Sequence, residues 1–459
     1  MTYMMVVIFV SMIAYVIYFM QFKAELVIAN SRNIRQDSFA DVVERGDIIT
    51  SDGVVIATSS TDENGNTTRS YPYGNMFSHL VGYEGRGKAG LELQGNFYML
   101  RSHINIFERV YNELKEEKNR GDNLITTVDY ELQEAAYRAL GSCNGAVVVM
   151  EPDTGKILAM VSKPDYDPNN MDAVWSYIDS EEGAESSILL NRATQGLYAP
   201  GSTFKLVTLL EYIRENPDYE SYSYDCVGSA IFSGVSIHCS HDAVHGHETL
   251  ADSLAYSCNL SFANIGTSLD RASYRETADS LLFNMDLPYD GEYSKSRFAI
   301  NVDSPADQMP QTVIGQGDTQ ITPLHNAMIV SAIANGGVLM KPYLIQSIEN
   351  DDGATVKRFR SKTYGELMTS EEAAILTEYM KGVCDYGTAS GTFGWTEYDV
   401  AGKTGTAEYD NEGNCNSWFV GFSNPDNPDI VVSVVVENYT ANGVTGVSVA
   451  KQIFDAYYR

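Results

Sequence analysis

The chain has 459 residues, 44% of them hydrophobic, and a formal charge of −30 at pH 7. That length accommodates two domains and a short anchor, with enough apolar residues for a sizeable core. The acidic excess excludes a nucleic-acid partner, which requires clustered Lys and Arg, and otherwise describes a solvated surface.

Tyr3 to Phe22 carries no Asp, Glu, Lys or Arg, about the twenty residues a membrane-spanning helix needs. A cleaved signal peptide ending near Val27-Ile28-Ala29 is the rival reading. The apolar run is longer than a signal core, however, and no basic stretch precedes it. An uncleaved anchor over residues 1–22 is therefore expected. Lys23, Arg32 and Arg35 follow the run, and the positive-inside rule taken alone would put the C-terminal side in the cytoplasm.

Residues 23–141 read as a β-rich module. Val54 to Thr58 and Thr67 to Tyr73 are strand-like around Asn64-Gly65, a hairpin-turn dipeptide. Asp129 is placed to cap a helix over 130–140 with Leu132, Ala135, Ala136 and Leu140 on one face. Residues 142–459 form the second domain. Its strand-like runs are Ala146–Met150, Lys156–Val161, Tyr398–Ala407, Ser417–Phe422 and Ile430–Val436, and a closing helix is expected over 447–458. Strands at both ends of a mostly helical middle predict an α+β fold, an antiparallel sheet covered by helices.

Three short motifs carry chemistry. Ser202 and Lys205 lie three apart at a helix start, after Pro200-Gly201 and before the apolar series Phe204, Leu206, Leu209, Leu210 and Ile213. That spacing puts both side chains on one face, where an amine can reach and activate the serine hydroxyl. The helix N-terminus offers N–H groups to an oxyanion. Ser257-Cys258-Asn259 falls between two amphipathic stretches, with both polar side chains turned into a cleft. Lys403-Thr404-Gly405-Thr406 lies on a strand with a glycine where another backbone must come close.

S-x-x-K, S-x-N and K-T-G in that order resemble penicillin-binding proteins and class A β-lactamases. The likeness continues in Arg45-Gly46-Asp47-Ile48, Gly90-Leu91-Glu92, Thr126-Thr127-Val128-Asp129, Asn191-Arg192-Ala193, Gly315-Gln316-Gly317 and Trp418-Phe419-Val420-Gly421-Phe422. It covers nearly all of the chain after residue 40, and the sequence is identified as a class B penicillin-binding protein.

The resemblance implies a penicilloyl-serine transferase fold on a non-catalytic pedestal, a single-pass anchor and an extracytoplasmic catalytic domain, against the naive charge rule. It implies a D,D-transpeptidase that cross-links peptidoglycan stem peptides without a cofactor, is acylated by β-lactams at Ser202, and pairs with a SEDS-family glycan polymerase. Lys205 would be the base, Ser257 a proton relay, and Asn259 a holder of Lys205 and the substrate amide. Lys403, Thr404 and Thr406 would bind the substrate carboxylate beside Gly405. The N–H groups of Ser202 and Thr406 would form the oxyanion hole. Arg192 and Gln195 read as supports of the Ser202 loop.

Cys226, Cys239, His245 and Cys258 offer three thiolates and one imidazole, a closed structural zinc set. Some elongation-type relatives hold a metal through this segment, so the resemblance implies His245 and Cys258 as ligand positions. A Cys226–Cys239 disulfide is the alternative outside the membrane, free thiols are a third, and all three readings stand open.

Among rival activities, a class A β-lactamase would need a deacylating glutamate in an E-x-x-x-N pattern, which is missing between Leu260 and Gly402. The N-terminal motifs weigh against a D,D-carboxypeptidase. A membrane-anchored sensor would need a signalling module.

Overall fold

The computed structural model describes residues 2–22, 40, 42–62, 65–115, 117–410 and 413–459. The basic residues Lys23, Arg32 and Arg35, the candidate cleavage site at 27–29 and the turn residue Asn64 lie outside them. The described part of the chain forms two compact units.

The first unit comprises Met1–Thr126, Asp167–Ser176 and Ile345–Phe359. Its six-stranded sheet runs in the order Thr355–Arg358, Ile345–Glu349, Asn123–Thr126, Ile48–Ile49, Val55–Thr61 and Thr67–Ser70. Ile48 and Ile348 flank Leu124 in register, one parallel and one antiparallel, and all three are buried. The last two strands pair through Thr61 and Thr67, the hairpin expected from Gly65.

Two of the sequence signatures meet in this unit. Arg45 donates Nε to Glu92 Oε2 at 2.6 Å, and Arg69 donates Nε to Glu92 Oε1 at 2.7 Å. Glu92 has no solvent exposure. Burial favours its protonated form, but the two guanidinium groups override it and hold the carboxyl below its ordinary range.

Thr2–Phe22 is helical, and every side chain from Tyr3 to Tyr18 is exposed. Side chains of this helix are described only as far as Phe19. No helix among the described residues is long and apolar enough to cross a membrane.

The second unit comprises Thr127–Tyr166, Tyr177–Leu344 and Arg360–Arg459. Its five-stranded sheet has the order Ile157–Lys163, Gly145–Met150, Val431–Val436, Cys415–Ser423, Val400–Glu408 and is antiparallel throughout. The three central strands are buried along their whole length, which explains the apolar runs Val147-Val148-Val149 and Val434-Val435-Val436. Helices Tyr130–Leu140, Pro323–Ala334 and Gly446–Tyr457 pack on this sheet. The expected α+β architecture is present.

Asp129 caps its helix as expected, accepting from Leu132 N at 2.9 Å. That helix, placed before the boundary at residue 141 by the sequence reading, belongs to the second unit. The first unit also gathers two pieces remote in sequence, 167–176 and 345–359.

Candidate active site

Ser202 lies on a 3-10 turn, Gly201–Phe204, that runs directly into the helix Lys205–Glu215. The apolar series from Phe204 to Ile213 is buried and roots this helix in the core. Two contacts pin the turn itself. Trp418 donates Nε1 to Ala199 O at 3.1 Å, and Gly201 N donates to Gly315 O at 2.9 Å. Gly201 has φ +54, and a Cβ there would lie 2.5 Å from Thr406 O. Only glycine meets both the left-handed backbone and the close approach. Glycine is also required at 405, where a Cβ would crowd Thr203 Cγ2 at 3.0 Å and Trp418 Cβ at 2.9 Å. The strand carrying Lys403 is thereby brought against the Ser202 turn.

Helix Leu250–Ala255 ends before Ser257, and helix Asn259–Ser268 begins after Cys258. Ser257 takes φ +58, a strained conformation for a residue with a Cβ. The turn aims its carbonyl and hydroxyl at the lysines. Lys205 Nζ donates to Ser257 O at 2.7 Å, Ser257 Oγ at 3.2 Å and Asn259 Oδ1 at 2.7 Å. Lys403 Nζ donates to Ser257 Oγ at 2.9 Å and Thr404 O at 3.0 Å. Asn259 is held by its Nδ2, which donates to His238 O at 2.8 Å.

Four of the five residues expected to act together, Lys205, Ser257, Asn259 and Lys403, are thus joined by hydrogen bonds. Among the described residues Lys205 makes none to Ser202 Oγ, contrary to the simplest reading of the S-x-x-K spacing. The 257–259 loop supplies three oxygen acceptors, which saturate an ammonium. Thr406 is brought beside the Ser202 turn, and its carbonyl accepts from Gln316 Nε2 at 3.4 Å.

Both lysines have no solvent exposure. Burial pulls Lys205 from 10.5 down to about 8, against Cys258, Cys239 and Glu248, which favour its charge. Lys403 is pushed well below 10.5, first by burial and then by the charge of Lys205.

Arg192 and Gln195 sit in the approach to the turn. Glu437 Oε1 accepts from Arg192 Nε and Tyr198 OH, each at 2.7 Å. Gln195 Oε1 accepts from Asn191 N at 3.2 Å. Glu437 and Tyr198 were missed in the sequence, although a carboxylate directly after six buried residues, Val431–Val436, was a usable signal.

Behind the S-x-N turn lie Cys226, Cys239, His245 and Cys258, whose ligand atoms all fall within 4.8 Å of one another. Cys226 and Cys239 Sγ are 3.7 Å apart, as are Cys239 and Cys258 Sγ. His245 Nδ1 is 3.4 Å from Cys226 Sγ. The three cysteines are free of disulfides. A tetrahedron with metal–sulfur bonds of about 2.3 Å has edges of roughly 3.8 Å, whereas a disulfide requires about 2.05 Å. These four residues fit a structural zinc ion. Cys258 also caps its helix, its Sγ accepting from Ser261 N at 3.4 Å.

Residues 145–459 match the penicillin-binding protein transpeptidase domain, and residues 45–124 match the penicillin-binding protein A dimerisation domain. The chain belongs to the penicillin-binding protein transpeptidase family. The peptidoglycan D,D-transpeptidase PbpA of Mycobacterium tuberculosis is 30% identical over 86% of this chain and 84% of its own length. Its namesake in Mycolicibacterium smegmatis is 29% identical over the same shares. Among solved structures, the imipenem acyl-enzyme of penicillin-binding protein A from M. tuberculosis superposes with a TM-score of 0.82 at 27% identity, over 92% of this chain and all of that one. The D,D-transpeptidase domain of a peptidoglycan glycosyltransferase from Eggerthella lenta gives 0.80 at 31% identity, over 91% of this chain and 98% of its own.

Proposed function

We propose that Ser202 is the acylated nucleophile of this enzyme and that Lys205, Ser257, Asn259 and Lys403 are its proton-handling and positioning groups. The activity they serve, D,D-transpeptidation in peptidoglycan synthesis, follows from membership of the family. The convergence of two buried lysines on Ser257 carries the assignment of roles.

Neutral Lys205 takes the proton of Ser202 as Oγ bonds to the carbonyl carbon of the penultimate D-alanine. The negative charge on that carbonyl oxygen is met by the N–H groups of Ser202 and Thr406. The proton passes through Ser257 to the departing D-alanine nitrogen as the peptide bond breaks. Asn259 holds Lys205 and the substrate amide. Lys403, Thr404 and Thr406 bind the terminal carboxylate, and Gly405 lets strand and turn close together. An acceptor amine then displaces Ser202 and forms the cross-link. β-Lactams acylate the same oxygen. Labelling with a fluorescent penicillin tests the assignment: wild type takes label and Ser202→Ala does not, and a labelled Ser202→Ala would sink it.

The Cys226, Cys239, His245 and Cys258 set is proposed to hold a structural zinc that steadies the Ser257 turn. Its edge lengths and its three thiols support zinc over the Cys226–Cys239 disulfide. Residues 1–22 are proposed as a single-pass anchor. The sequence alone supports this: Tyr3–Phe22 carries no Asp, Glu, Lys or Arg, about the twenty residues a spanning helix needs, whereas no helix among the described residues is long and apolar enough to cross a membrane. The catalytic domain would then face outward, with the first unit as its non-catalytic pedestal, and a SEDS-family glycan polymerase would be the membrane partner.

A further inference from the structure

Thr388, which no motif flags, follows the helix Ser370–Asp385. Its Oγ1 lies 2.7 Å from Thr404 Oγ1. Its N–H donates to Ala255 O at 3.0 Å. A Cβ at the preceding Gly387 would sit 2.2 Å from that same Ala255 oxygen, so the backbone at 387–388 is pressed onto the end of the helix that leads into Ser257. Thr388 is exposed and Thr404 half-buried. One residue therefore links the S-x-N wall to the K-T-G strand, with its hydroxyl on the hydroxyl of Thr404.

A threonine hydroxyl has one proton to donate. In the Thr388–Thr404 pair, one partner donates and the other accepts. If Thr404 donates to Thr388, it turns lone pairs toward an arriving carboxylate. If Thr388 donates, the Thr404 proton is free for the anion, and a hydroxyl that is itself accepting makes a stronger donor. We propose that Thr388 is a positioning residue for anion recognition, which sets the direction of the Thr404 hydroxyl so that it donates to the carboxylate of the substrate. The inference rests on the assignment of Thr404 to that carboxylate.

The consequence is selectivity between a carboxylate and its neutral counterpart. The test measures second-order acylation of Ser202 by benzylpenicillin and by its methyl ester, in competition with a fluorescent penicillin. Wild type prefers the carboxylate. Thr388→Val, of equal size and on an exposed site, narrows that preference about tenfold or more, with the loss confined to the carboxylate. Thr388→Ser restores it, and Thr388→Ala follows Thr388→Val.

Equal slowing toward both compounds, or an unchanged ratio, overturns the role of Thr388 while leaving the site intact. A wild type that is acylated without preferring the carboxylate overturns the Thr404 assignment and the inference with it. A wild type that takes no label overturns the Ser202 reading.

Discussion

Lys403 donates to the Ser257 hydroxyl at 2.9 Å, and that hydroxyl also accepts from Lys205 at 3.2 Å. With both lone pairs engaged, the Ser257 proton is the part of the group left to move. Two buried ammonium groups on one oxygen oppose each other's charge, and burial holds both lysines below their ordinary range.

Acylation should therefore follow the neutral fraction of Lys205. A base must be unprotonated, and Lys205 titrates at about 8. Below that pH the rate rises roughly tenfold per unit, and it levels above it. A profile of benzylpenicillin acylation from pH 5.5 to 9.5 checks this; a rate flat across pH 6 to 8 would remove Lys205 as the base.

Asn259→Ala deletes an acceptor of the Lys205 ammonium and the tie to His238 O. Acylation should fall about ten- to a hundred-fold. Losing an acceptor also disfavours the charged amine, so the rising limb of the profile should move to lower pH. A uniform rate loss with no displacement would assign Asn259 to substrate binding alone.

The thiol cluster predicts one zinc per chain, read by elemental mass spectrometry on protein purified without added metal. Cys226→Ser and Cys239→Ser should lose it and lower the melting temperature. Absence of zinc combined with a mapped Cys226–Cys239 disulfide would end the metal proposal.

Glu92→Gln leaves Arg45 and Arg69 buried with their shared counter-charge removed. The cost is about 3–5 kcal/mol, visible as a lower thermal midpoint. An unchanged midpoint would mean that the two arginines find water or another acceptor in the variant.

Much of this site was legible because its chemistry is encoded locally. Gly405 announces a close approach by its place in the Lys403-Thr404-Gly405 strand. Asp129 announces a cap, and the runs around Val148 and Val434 announce buried strands. What escaped depends on distant encounters. Nothing near Ile345 signals that it pairs with Thr126, and nothing near Thr388 signals Thr404. The Lys205–Asn259 hydrogen bond was expected and the two to Ser257 were not, because spacing along a helix says which groups are near, not which acceptors a loop supplies.

The left-handed backbone at Ser257 also filters how this site can vary in evolution. Valine, isoleucine or threonine there would add steric strain to any chemical change. Glycine would relieve the strain and drop the hydroxyl, yet keep the carbonyl that holds Lys205. A lineage under antibiotic selection therefore finds few tolerable exits at this position, and the mildest of them removes the hydroxyl proposed as the proton relay.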